Sequence, residues 1–416
     1  MASSRARFEP APDSPIKANF AALEAIGEAM IDSGYTVMSV QSSLEDIARA
    51  NGYPKTEIVV MPTALFVSVR GSGEVHTGVV SIGGRPLQLH QLDELDDIVL
   101  RARSGTISAD QARALVLLLR QLPSPYPAAL RVLAYIPLCA ALSVLLGASW
   151  MGVVVASALG AIVGIVLYFS SNLPSSRVPL VTLGLAFGCA AAVFTLVRYD
   201  YDPGVLPSLI APIVVLLPGA LLTTGVLELS SGQMVSGASR LAGGAMQLVL
   251  LAGGIATAGA LVGVPHIEFA AAYQPLGPLG PWLAVLVFGA SVVINRGGRL
   301  RTIGWVIVIL YVAYTAQAVS EQFLGAVPSA FIGALLMTPV ALLAARSRSG
   351  PAAPVVFLPG FWMLVPGSLG LVGTTGLLAG DDTGLSTLVT TASTMVAIAI
   401  GVLLGSALTA RTRTPL

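Results

Sequence analysis

Pro-Gly pairs stand inside two apolar runs. Pro218-Gly219 lies in Ile213-Val-Val-Leu-Leu-Pro-Gly-Ala-Leu-Leu-Thr-Thr-Gly-Val-Leu-Glu228, and Pro366-Gly367 lies in Phe357-Leu-Pro-Gly-Phe-Trp-Met-Leu-Val-Pro-Gly-Ser-Leu-Gly370, at an offset of 366 − 218 = 148. Proline removes a helix hydrogen bond and clashes one turn back, and glycine lifts the side-chain constraint, so each pair leaves backbone groups unpaired. Free amides at the start of a following half-helix can face a carboxylate, and carbonyls freed from the preceding half can accept from an ammonium group. Thr223 and Thr224 follow the first break by about one turn, and Ser368 follows the second directly. Their hydroxyls either meet a ligand or bond to the carbonyl four residues back.

A second set is ionisable. Glu321 has Gln317 and Gln322 beside it, and Asn172 is its mate at 321 − 172 = 149; Glu228 closes the first apolar run. A carboxylate at such a place can carry a proton or contact a polar ligand, or it is simply a loop charge that reaches interfacial water. The residues that would make an enzyme are not arranged to do so. His76 and His90 have no triad or metal spacing, and His266 stands alone. Gly71-Ser-Gly73 sits between two strand patterns, where a phosphate loop would need a helix next. Cys139 and Cys189 lie in apolar runs and read as small buried hydrophobes. No catalytic residue, metal or cofactor is assigned.

The elements that must position these groups are membrane helices. The chain is 55% hydrophobic and only 10% charged, with mean hydropathy +0.83, which places it among multi-span membrane proteins. A net charge of +1 without a basic run excludes nucleic acid as a partner. Acidic residues thin out after Asp110, so the polar part comes first. Residues 1–125 read as a small soluble α+β domain. Its helices carry Phe20, Leu23, Ile26 and Met30, then Val37, Val40, Leu44 and Ile47, each set on one face. Strand patterns follow over 56–61, 64–70 and 74–82, and two further helices over 92–103 and from Ser108. Pro123-Ser-Pro-Tyr-Pro127 is a stiff linker.

Ten apolar spans are expected after it, over 131–147, 149–169, 178–197, 205–227, 241–264, 281–295, 302–319, 326–345, 354–373 and 385–410. With a cytosolic amino terminus and no leader, the arginines sort inward (Arg131, Arg177, Arg240, Arg296, Arg299, Arg301, Arg346, Arg348, Arg411, Arg413), leaving Arg198 outside. The acids Asp200, Asp202, Glu268, Glu321, Asp381 and Asp382 sort outward, and Glu228 inward. Five spans per half turn the second half over. The expected fold is thus a membrane all-α protein of about ten helices in a 5+5 inverted repeat, residues 126–270 and 271–416, behind the soluble domain. Val178-Pro179 and Val327-Pro328 keep the same register. Gln247 and Asn295 read as interhelical amides, and Trp150, Trp282 and Trp305 as interface anchors.

Motifs in order along the chain carry a resemblance. Ala29-Met-Ile-Asp-Ser-Gly-Tyr, Met61-Pro-Thr-Ala-Leu-Phe-Val-Ser-Val and Gly105-Thr-Ile-Ser-Ala-Asp-Gln-Ala come first. Then come Leu217-Pro-Gly-Ala-Leu-Leu-Thr-Thr, Ser230-Ser-Gly-Gln-Met-Val-Ser-Gly with Arg240, Leu358-Pro-Gly-Phe and Leu364-Val-Pro-Gly-Ser-Leu-Gly. With these the chain resembles the bacterial threonine/serine exporter family over nearly its whole length. The resemblance implies a soluble amino domain, ten spans and proton-coupled export of small hydroxy amino acids through the bacterial inner membrane, with both termini cytoplasmic. Phe361-Trp362 beside the second break departs from the pattern, and bulky aromatics there would reshape a pocket. Relatives split into two chains look like dicarboxylate exporters. Export of a succinate-like dicarboxylate, a channel, and a ligand sensor regulated by the soluble domain are therefore the competing readings. The implied partners are a small-molecule substrate, protons and the lipid bilayer, with a homo-oligomer compatible with all of them. The site residues so implied are Pro218, Gly219, Thr223, Thr224, Pro366, Gly367 and Ser368, with Glu321, Gln322, Asn172 and Glu228 on the polar path.

Overall fold

The computed structural model describes residues 15–70, 75–81, 86–199, 207–263, 277–347, 350–364, 366–379 and 383–410. Its contacts divide the chain into two units, Met1–Pro123 and Ser124–Leu416. The Gly71-to-Gly73 turn, His266, Arg348, Asp381 and Asp382 lie outside the described residues.

In the first unit, helices α1 (Pro15–Asp32) and α2 (Val37–Ala50) cover one face of an antiparallel meander, β1 (Glu57–Met61), β2 (Ala64–Arg70) and β3 (Val75–Ser81). Thr36 caps α2, its hydroxyl accepting from the Ser39 amide at 3.3 Å. Strand period does the sorting: Ile58 and Val60 from β1 and Leu65, Val67 and Val69 from β2 are buried against Leu23, Ile26, Leu44 and Ile47. Helices α3 (Leu89–Arg103) and α4 (Ala109–Leu119) close the unit. Helix α3 starts three residues earlier than apolar periodicity alone predicts, because Gln88 and Gln91 form a capping box ahead of it.

The second unit is entirely helical among its described residues: α5 (Ala128–Leu133), α6 (Tyr135–Leu145), α7 (Trp150–Ser170), α8 (Val178–Arg198), α9 (Ile210–Ile213), α10 (Gly219–Ser230), α11 (Met234–Val262), α12 (Gly280–Asn295), α13 (Leu300–Leu324), α14 (Ala326–Arg346), α15 (Ala353–Met363), α16 (Pro366–Ala379) and α17 (Thr383–Ala410). On α7 the large side chains point outward and the small ones inward. Val154, Ile162 and Phe169 are exposed, whereas Gly152, Ala156, Gly160 and Gly164 are buried. A helix in water would do the reverse, so this is the surface of a protein solvated by lipid.

Seven described helical segments are long and apolar enough to cross a bilayer, or eight when the bent pair 207–216 and 219–230 counts as one. The expectation of ten exceeds that number for a geometric reason. At 1.5 Å per residue α12 reaches about 24 Å and α15 about 16 Å, short of a hydrocarbon core of roughly 30 Å. Packing partners recur in the two halves: α8 lies on α11 and α14 on α17, α10 on α11 and α16 on α17, α6 on α7 and α12 on α13. Between the halves, α11 meets α16 and α10 meets α17. Close approach is bought with glycine in both long pairs. A Cβ on Gly254 would come within 2.7 Å of the Leu183 carbonyl, and one on Gly401 within 2.6 Å of the Phe331 carbonyl.

Candidate functional site at two interrupted helices

The first interruption is real and sharp. Helix α9 runs into a 3-10 turn, Val214–Leu216; Leu217 is extended (ψ 131°); and α10 leaves at 59° to the incoming segment. Proline has no N–H, so the helical ladder cannot cross Pro218, and the first bond of α10 runs from the Leu222 amide to the Pro218 carbonyl at 2.8 Å. No side chain caps the start of α10. Two of the carbonyls upstream are engaged by side chains. Tyr135 donates to the Pro212 carbonyl at 2.7 Å, and Gln247, on α11, donates to the Leu216 carbonyl at 2.6 Å. The break therefore keeps its acceptors occupied and leaves the amide end of α10 as its open polarity.

The second interruption separates α15 from α16, with Leu364 ending the first half and Pro366 opening the second. Gly367 and Ser368 lie in the first turn of α16, and Val365 falls outside the described residues. The upstream Pro359-Gly360, which has the same local signature, stays inside α15. Helix α10 packs against both α15 and α16, the two halves of the second broken pair.

Each post-break half-helix carries a buried threonine without a hydrogen-bond partner among the described residues: Thr223 on α10, 1% exposed, and Thr375 on α16, 0% exposed. A buried unsatisfied hydroxyl costs about 1–3 kcal/mol, a cost that a polar ligand or water would remove. Thr224 is half-buried beside Thr223, and Pro218 and Gly219 are buried. Sequence reasoning found Thr223 because it follows the break by one turn. It missed Thr375, which stands in a run of small residues with nothing local to distinguish it.

A polar cavity of about 370 Å³ adjoins the second break. Tyr314, Gln317, Ala318, Glu321 and Gln322 line it from α13, Leu145 from α6, and Met363 from the last turn of α15. Glu321 and Gln322 thus share a space with the end of the interrupted helix. Asn172 does not; it lies exposed in the turn after α7.

Glu228 is held in place. It is 1% exposed in the last turn of α10, where its Oε2 accepts from Ser236 Oγ at 2.6 Å and from Arg240 Nε at 3.0 Å, both on α11. Arg240 and Ser236 were not expected as its partners. The available signal was a charge pair flanking the Ser231-Gly232 turn between two helices.

A family model described as "Putative threonine/serine exporter" matches residues 22–262. A protein of Mycobacterium tuberculosis named "Probable threonine/serine exporter" is 26% identical over 409 residues, covering 91% of this chain and 74% of that protein. No solved structure matches the chain.

Proposed function

Because this chain belongs to the threonine/serine exporter family, we propose that it is a secondary active exporter of threonine and serine whose substrate sits between its two interrupted helices and whose coupling ion is a proton. The observation that carries the reading is the packing of the first post-break helix against both halves of the second broken pair. Helix α10 contacts both α15 and α16, and each post-break half-helix holds a buried threonine hydroxyl without a partner. Unpaired amides and hydroxyls at an interrupted membrane helix suit a small ligand with a carboxylate and a hydroxyl of its own. Glu321, in the cavity beside the second break, is the proton carrier in this reading, with Gln317 and Gln322 as its polar neighbours.

The reading includes ten spans, 126–270 and 271–416, as inverted five-span repeats in the bacterial inner membrane with both termini cytoplasmic. Counting each interrupted pair as one span and accepting α12 as a short one gives ten. The recurrent packing partners support it, and so does a repeated turn: Gly147 and Gly297, 297 − 147 = 150 apart, both have positive φ at the end of α6 and of α12. Single cysteines at Asp202 and Glu268 are expected to react with an impermeant reagent on intact cells and those at Arg177 and Arg299 not to react; the opposite pattern would overturn the repeat.

The substrate test is counterflow. Proteoliposomes loaded with unlabelled substrate are expected to accumulate labelled L-threonine and L-serine, faster with an opposing pH gradient, and to ignore succinate. Accumulation of succinate alone would move the protein to the dicarboxylate class. Equal downhill flux of all three without counterflow would make it a channel.

A further inference from the structure

We propose that Arg296 is the residue that binds the carboxylate of the transported molecule. Arg296 follows α12 directly, its amide closing the helix on the Val292 carbonyl at 2.9 Å. Its guanidinium lies with Cζ 4.9 Å from the ring centroid of Trp362, which is 6% exposed in the last turn of α15 before the second break. The Nε atom is buried and takes no hydrogen-bond partner among the described residues. The titratable groups within electrostatic reach of it are Tyr135 and Arg131. Arg131 is a like charge that is itself turned to the Asn295 carbonyl at 3.4 Å, and Tyr135 donates to the Pro212 carbonyl just ahead of the first break. Arg296 therefore stacks on the helix that precedes the second interruption and lies near the tyrosine that reaches the segment before the first, with no carboxylate within ion-pair distance among the described residues.

Three other arginines of this unit have partners. Arg240 has Glu228, and Arg198 and Arg346 donate to helix-terminal carbonyls. An arginine that only marks the cytoplasmic side would extend its head into water. Arg296 is half-buried, with its Nε enclosed and unpaired among the described residues and its guanidinium stacked on an indole, which leaves a cation short of an acceptor. A monoanionic carboxylate seated on the guanidinium fork resolves that imbalance in a way water does not, through two parallel charge-assisted bonds. Trp362 fixes the plane of the fork, which explains why a bulky aromatic stands beside a substrate site. The inference rests on the reading that substrate binds at the breaks, and it adds the group that selects for a carboxylate.

The test compares L-threonine with threoninamide, which keeps the ammonium and hydroxyl and lacks the anion. Arg296→Gln is expected to weaken L-threonine binding at least tenfold, to leave threoninamide within about twofold, and to preserve thermal stability, since it removes an unpaired buried charge. Arg296→Lys should recover part of the loss by charge alone. In the wild-type protein, saturating threonine is expected to slow phenylglyoxal modification of Arg296, read by mass spectrometry, a measurement that needs no variant to fold. Unchanged threonine affinity in Arg296→Gln, equal losses for both ligands with a lowered melting temperature, or no protection from phenylglyoxal would each overturn the proposal. Wild-type protein that exchanges succinate and neither amino acid would sink the amino-acid reading alone, and sensitivity of succinate binding to Arg296→Gln would still uphold this one.

Discussion

Glu228 can be a proton carrier or a structural ion, and removing its charge separates the two. In Glu228→Gln the amide still accepts from Ser236 and Arg240, but the guanidinium of Arg240, whose side chain is 9% exposed, loses its counter-charge. Breaking one side of a buried ion pair costs about 3–5 kcal/mol, and because neutral hydrogen bonds survive here the lower end is expected. Arg240→Met leaves a carboxylate without its guanidinium in a site 1% exposed, and the upper end applies. Replacing both, Glu228→Met with Arg240→Met, removes the attraction together with both desolvation penalties, so stability should return to within about 1–2 kcal/mol of the parent, or exceed it. The assay is thermal unfolding in detergent followed by tryptophan fluorescence, with membrane insertion checked for each variant. Each single variant should lower the apparent midpoint by several degrees and the double variant should recover most of it, a coupling that only directly interacting residues show. Export driven by a pH gradient should fall only in proportion to folded protein. The reasoning is refuted by a Glu228→Gln protein that inserts, melts like the parent and has lost pH-driven export, since that is the behaviour of a proton carrier.

Three other outcomes follow from the same geometry. Glu321→Gln should abolish export driven by a pH gradient while leaving threonine exchange at equal pH largely intact, because exchange need not cycle the proton; equal loss of both activities would assign Glu321 to binding or folding. Continuing the helix with Pro218→Ala plus Gly219→Ala should weaken threonine at least tenfold, since charge-assisted hydrogen bonds are worth about 1.5–3 kcal/mol each, and unchanged affinity in an inserted protein would show that the first break only shapes the helix. In the first unit, burial pushes the Asp96 carboxyl above its ordinary value despite a bond from the Tyr35 hydroxyl at 3.4 Å. The folded state thus holds this proton more tightly than the unfolded one, so the contribution of Asp96 is full below the unfolded value and is lost as pH rises through the folded one. Asp96→Asn should therefore slow hydrogen exchange of α3 in the full-length protein at neutral pH and remove that dependence at acid pH; faster exchange at neutral pH would mean that the charged carboxylate is needed.

What the sequence made legible was the chemistry that acts locally. Proline at 218 interrupts a ladder wherever it sits in the middle of an apolar run, and alternation at 57–61 and 64–70 separates two faces of a sheet without help from the rest of the chain. What stayed hidden depends on which helices meet. Pro359-Gly360 has the same letters as Pro218-Gly219, yet it lies within α15, where a Cβ on Gly360 would come within 2.4 Å of Met337 Sδ. The same dipeptide breaks a helix in one half and admits a neighbouring helix in the other. Arg296 shows the limit for charges. Its sign assigns it to one side of the membrane, but sign says nothing of depth, and its place under Trp362 exists only once α12 and α15 are packed in space.

The two breaks are unequal in what they offer, and this bears on which ligand fits. At the first, Tyr135 and Gln247 occupy the carbonyls of Pro212 and Leu216, so acceptors are used up while the amide end of α10 and the Thr223 hydroxyl remain. An ammonium group finds little there, and a carboxylate finds donors. The acceptors lie on the other side, where Glu321, Gln317 and Gln322 open onto the end of α15. A molecule that carries both charges on one carbon can bridge such a pair of environments, whereas a dicarboxylate would have to place its second anion near Glu321. If the site binds dicarboxylates, neutralising that carboxylate should improve succinate affinity; if it binds a zwitterion, Glu321→Gln should leave succinate excluded. Succinate binding that appears or tightens in Glu321→Gln would break this division of the site.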